Sequence, residues 1–65
     1  MQSSNLLSVS YDMNKNLLEI EFHSGGIYQY FNVPDTVYLG LMNATSKGTY
    51  FHNHIRDCYR YTCIM

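Results

Sequence analysis

The sequence predicts an α+β domain: a small antiparallel β-meander of three strands, followed by a covering helix and a C-terminal strand. Three observations carry this. Leu18, Ile20 and Phe22 alternate with Glu19, Glu21 and His23, the period of a half-buried strand. Ser24-Gly25-Gly26 follows at once, and glycine accepts the positive φ that a tight hairpin turn demands. After Val33-Pro34 the apolar spacing changes, and Val37, Tyr38, Leu41 and Met42 fall on one helical stripe.

Taken in order, Met1 to Ser4 is polar and expected to fray. Asn5 to Asp12 reads as the first strand, with Leu7, Val9 and Tyr11 on its apolar face and Ser8, Ser10 and Asp12 on the other. Met13-Asn14-Lys15-Asn16 is a turn, because asparagine tolerates left-handed geometry. The second hairpin has two candidate registers. A two-residue loop at Ser24-Gly25 sets Phe22 against Ile27. A three-residue loop from Ser24 to Gly26, with Gly26 left-handed, sets Phe22 against Tyr28 and Ile20 against Tyr30. The second is expected. It gathers Glu19, Glu21 and Gln29 on one face and Ile20, Phe22, Tyr28 and Tyr30 on the other, and a one-residue slip would reverse every side chain.

Proline has no amide hydrogen for a ladder and disfavours helical geometry in the residue before it, so Val33-Pro34 ends the third strand. Pro34 and Asp35 suit the first turn of a helix. Gly40 within that helix costs about 1 kcal/mol against alanine, for which close packing on the sheet is the expected reason. Gly48 is the expected stop. Thr49 to His54 is expected as an irregular turn or a very short helix. Ile55 to Ile64 alternates again and reads as the final strand, beside the first strand or at the sheet edge.

Sixty-five residues allow one domain, residues 1–65, with a small core, since at this size roughly 60% of the unfolded surface is buried. Seven tyrosines and three phenylalanines supply large buried areas in the absence of tryptophan. A hydrophobic fraction of 46% against 14% charged residues indicates a folded chain. The net charge of −1 provides no long-range field for phosphate or an anionic membrane. No apolar run approaches the ~18 residues of a membrane span, and no signal-peptide pattern opens the chain. A cytoplasmic location without a membrane partner is therefore expected. Cys58 and Cys63 lie five residues apart, on opposite faces of an extended strand and too distant to bridge. Two free thiols fit a reducing compartment.

His52, His54, Cys58 and Cys63 are residue types that zinc prefers, but no C-x2-C or H-x3-H spacing accompanies them. Ser24 beside two glycines is turn chemistry rather than a nucleophile elbow. No catalytic, cofactor or metal site is expected, and no small-molecule substrate. The candidates for binding are Lys47, Arg56 and Arg60, three of the four basic residues, and Tyr59 and Tyr61. On the final strand Arg56 and Arg60 share one face and could hold phosphates. Tyr59 and Tyr61 share the other with Asp57, so part of that face is expected to be wet; they are the candidates for stacking unpaired bases, with cross-strand packing as the competing and favoured role. Tyr28 and Tyr30 are expected in the core.

Phe22 with Gly25, Tyr28-Gln29-Tyr30, Val33-Pro34, Ala44-Thr45-Ser46-Lys47-Gly48, and Ile55-Arg56 followed by Tyr59 together resemble a KTSC domain, from about Leu7 to Tyr61. That family takes its name from the C-terminus of certain lysyl-tRNA synthetases and also occurs as small stand-alone bacterial proteins. The resemblance implies a small non-enzymatic binding module of unestablished function, with RNA as the partner through the synthetase association. His52, His54, Cys58 and Cys63 are not landmarks of the family. With so few cations the expected mode is weak binding of single-stranded RNA, stacked on Tyr59 or Tyr61 and held by Lys47, Arg56 and Arg60. The alternative is a protein-interaction or self-associating module that acts through a sheet edge or an aromatic patch.

Overall fold

The computed structural model describes residues 6–65. The expected fraying of Met1 to Ser4 and the opening of the first strand at Asn5 lie outside the described residues. The elements run β1 (Leu6–Asp12), β2 (Leu17–Phe22), β3 (Ile27–Tyr30), α1 (Asp35–Asn43), α2 (Lys47–His54) and β4 (Tyr61–Cys63). The strands form one sheet in the order β1-β2-β3-β4, antiparallel throughout. The α+β class and the meander are as the sequence predicts; the stretch expected as an irregular turn or a very short helix is an eight-residue helix, α2, that begins earlier, at Lys47.

The first turn closes on Asp12, whose carboxylate accepts the backbone N–H groups of Asn14 and Lys15, while Asn16 takes a left-handed φ of 51°. In β1 the strict alternation fails at Leu7. Leu6 pairs with Phe22 but Ser8 pairs with Glu21, so Leu7 is an extra residue in a bulge. The bulge puts Leu6 and Val9 against the core and leaves Leu7 52% exposed, which corrects its expected inward placement.

The second hairpin keeps the expected faces and changes the partners. Ile20 lies opposite Tyr28 and Leu18 opposite Tyr30. Phe22 donates its N–H to Gly26, and Gly25 donates to Phe22. The loop therefore has three residues, His23 to Gly25, and the left-handed glycine is Gly25 at φ 101°, not Gly26. Phe22 is a diagonal neighbour of Tyr28, at 5.6 Å between ring centroids, rather than its cross-strand partner. The two-residue displacement preserves parity, so the grouping by polarity survives. On the outer face Gln29 donates to the Glu19 carboxylate at 3.2 Å.

Pro34 caps α1, and Asp35 places its charge in the first turn. The helix ends at Ala44, and Ser46 starts a second one. The Ser46 hydroxyl accepts the Thr49 N–H at 3.3 Å and lies 3.0 Å from the Thr49 hydroxyl. Gly48 is thus a buried residue in the first turn of α2 and not a helix stop. Gly40 approaches Tyr50 of α2, so the reason for a glycine there is helix–helix packing and not the sheet.

Leu18 and Ile20 from the sheet, Val33 from the connection, Leu41 from α1, Phe51 from α2 and Ile55 after it form the core with Tyr30. Each fully buried aliphatic side chain contributes about 1.5–3 kcal/mol. The final strand is much shorter than the expected Ile55 to Ile64. Ile55 caps α2 and is fully buried, and Cys58 N–H bonds back to its carbonyl, so the chain turns here. Arg56, Cys58, Tyr59 and Arg60 therefore precede the strand, and the two arginines do not share a strand face. β4 lies at the sheet edge beside β3.

Candidate functional site

Directly opposed residues of an antiparallel pair share a face. Tyr30 opposes Tyr61 and Tyr28 opposes Cys63, so all four side chains project from the face that carries the helices. Phe51 of α2 packs on Phe22 and Tyr30, with ring centroids 5.4 and 5.5 Å apart, and covers this face as far as β3. β4 lies beyond that cover, and its three residues are exposed. The outcome is an open groove of about 310 Å³. Five rings line it, those of Phe22, Tyr28, Tyr30, Phe51 and Tyr61, with Arg56 and Asp57 beside them.

The rings are graded from dry to wet. Tyr30 is 4% exposed and Tyr61 is 57% exposed. Tyr61 leans on both neighbours, 5.5 Å from Tyr30 and 5.8 Å from Tyr28, which holds its ring while leaving most of it open. The charges reach the groove because buried Ile55 pins the turn after α2, so the next two residues emerge at its side. Arg56 has one guanidinium nitrogen 3.2 Å from Nδ1 of His52, one helical turn earlier. The remaining N–H donors of its fork are left for other partners.

Burial pushes the Tyr30 phenol up to about 12, a shift that the neighbouring tyrosines reinforce. Arg56 lowers it and Asp57 raises it, so both charges lie within electrostatic reach of that hydroxyl. The Tyr28 phenol is also raised, first by its hydrogen bond to Cys63, then by repulsion from a Cys63 thiolate. The cysteines are free and exposed, and the Cys63 thiol lies 3.2 Å from the Met65 carbonyl oxygen. For Tyr30 the linkage to stability has a definite sign. The folded value lies above the unfolded one of 10.0, so its contribution is whole below that pH and is lost as pH rises toward 12. A loss of about 1–2 kcal/mol is expected between about pH 9 and about pH 11.5. Urea midpoints at those two pH values would measure it, and Tyr30→Phe should shrink the difference to the part that Tyr28 contributes.

Of the five residues singled out from sequence, the groove brings Arg56 and Tyr61 together. Tyr59 is half-buried and packs against the core. Arg60 is exposed just before β4, and its carbonyl accepts the Phe31 N–H. Lys47 opens α2, whereas Arg56 follows its last turn, so these two cations stand at opposite ends of the helix. Asp57, Phe22 and Phe51 were not singled out. Among the described residues no group of three or more His, Cys, Asp or Glu side chains is placed to hold a metal ion, and no helix is long and apolar enough to cross a membrane.

Comparison with known proteins bears on this geometry. Residues 2–61 match the KTSC domain. The chain belongs to the KTSC domain family. The crystal structure of a KTSC domain protein from Yersinia pestis superposes with a TM-score of 0.92 at 37% identity, covering 100% of this chain and 92% of that one. An uncharacterized protein of Stutzerimonas stutzeri is 42% identical over 62 residues, 94% of this chain and 87% of that protein. A lysine–tRNA ligase of Nostoc sp. is 43% identical over 60 residues. That match takes in 92% of this KTSC domain but 11% of the ligase, so the likeness is to one small region of a much longer protein.

Proposed function

We propose that this KTSC domain is a small non-enzymatic module that binds single-stranded RNA weakly through the aromatic groove. The observation that carries the reading is the pairing of a ring held open to solvent, Tyr61, with a guanidinium, Arg56, on one groove. Unpaired bases stack on such rings, and arginine meets phosphate or base edges. The similarity to a region of lysine–tRNA ligases supports RNA as the class of partner. Tyr61 takes the stacking role, and exposed Arg60, its neighbour in sequence, holds a flanking phosphate. Tyr59 props the turn from within, and Lys47, at the other end of α2, is left for a phosphate farther along the RNA strand.

With a net charge of −1, stacking supplies more of the affinity than phosphate neutralisation does. The salt dependence is accordingly shallow. Labelled single-stranded and duplex RNA titrated at several salt concentrations test this, and Tyr61→Ala should weaken single-strand binding by about tenfold. A steep salt slope with duplex preference would refute the mechanism. Absence of binding to either RNA near physiological salt would remove RNA and leave a protein contact as the function.

A further inference from the structure

The charges of the groove carry more information than its rings. Arg56 and Asp57 are adjacent in sequence, both are exposed, and both line the same space. A carboxylate beside a guanidinium cancels the local field, so the groove itself is a poor seat for phosphate. It is a good seat for a neutral ring that presents donors to one side and acceptors to the other. The volume of about 310 Å³ accommodates one nucleotide and no more than part of a second.

Resting on the RNA reading above, we propose that the groove selects guanine, with the Asp57 carboxylate reading the Watson–Crick edge and the Arg56 guanidinium reading the acceptors next to it. The chemistry is discriminating. Guanine carries two adjacent donors on that edge, N1–H and the N2 amino group, which match the two oxygens of a carboxylate. Beyond them lie O6 and N7, two acceptors that match the fork of an arginine. Adenine and cytosine each set an acceptor beside their single amino donor, and uracil sets acceptors on both sides of N3–H. A carboxylate facing any of these three meets at least one lone pair. Stacking on Tyr61 holds the base in plane but does not distinguish one base from another.

Arg56 keeps donors for this contact while one of its nitrogens is engaged by His52. Both charges lie within electrostatic reach of the Tyr30 phenol, so they stand on the same side of the groove as its buried ring.

The test uses the whole chain and short labelled oligouridylates that carry a single central G, A, C or U. Guanine should bind at least about tenfold tighter than the other three, the discrimination of one good bidentate contact. Asp57→Asn replaces one acceptor with a donor on an exposed side chain, and it should bring the four affinities together. Tyr61→Ala should instead lower all four alike. A ligand-side substitution needs no variant to fold: inosine, which lacks the N2 amino group, should lose much of the guanine advantage on the native protein. Equal affinity for all four oligonucleotides, or a preference that Asp57→Asn and inosine leave intact, overturns the guanine assignment while RNA binding stands. Failure of every oligonucleotide to bind overturns both.

Discussion

Ile20→Ala should cost about 2–5 kcal/mol, whereas Leu7→Ala should stay within about 0.5 kcal/mol. Ile20 sits in central strand β2, fully buried, opposite Val9 on one side and Tyr28 on the other. Truncation removes apolar contact and leaves a void that a close-packed small core fills only in part. A domain of this size rarely holds more than about 3–5 kcal/mol in reserve, so the variant should be largely unfolded in mild denaturant. Leu7 belongs to the same class of residue but is 52% exposed on the bulge. Urea unfolding followed by far-ultraviolet circular dichroism separates the two. Similar costs at both positions would return Leu7 to the inner face and refute the bulge.

What could be read from the sequence divides along physical lines. The polarity of Glu19, Glu21 and Gln29 determines which face of the hairpin is wet, so the grouping of Ile20, Phe22, Tyr28 and Tyr30 was legible. The cross-strand partner was not, because registers two residues apart present the same faces to the core. At Leu6-Leu7 two apolar residues stand together, and nothing in the letters says which is the extra one. The second helix did have a signal: Ser46 is a good N-cap with Thr49 three residues on, but Gly48 between them reads equally well as a stop. The alternation from Ile55 to Ile64 suggested one long strand. Buried Ile55 and half-buried Tyr59 do face inward, but from the turn that follows α2. Arg56 and Tyr61 were recognisable as candidates for binding because of their chemistry. The groove that joins them was not, since Phe22, Phe51 and Asp57 come from a strand, a helix and a turn that only tertiary packing brings together.

The contact between the two helices gives the second large effect, and one of unusual sign. Gly→Ala inside a helix ordinarily gains about 1 kcal/mol. Gly40→Ala should instead lose about 1–3 kcal/mol here. A Cβ at Gly40 would fall on the Tyr50 hydroxyl, with Cζ and Cε2 of the ring at 2.8 and 3.1 Å. The ring cannot yield freely, because it is half-buried between the helices and packs on His54 with centroids 4.5 Å apart. Either α1 and α2 separate or Tyr50 leaves its site, and each loses packing next to Leu41 and Phe51. A double-mutant cycle isolates the cause. In a Tyr50→Ala background the obstruction is gone, so Gly40→Ala should recover its ordinary helix propensity and stabilise by about 1 kcal/mol. The sign of one substitution would thus reverse with the identity of one side chain on the neighbouring helix. If Gly40→Ala stabilises the native chain as well, Tyr50 gives way at no cost and the close approach does not hold the two helices together.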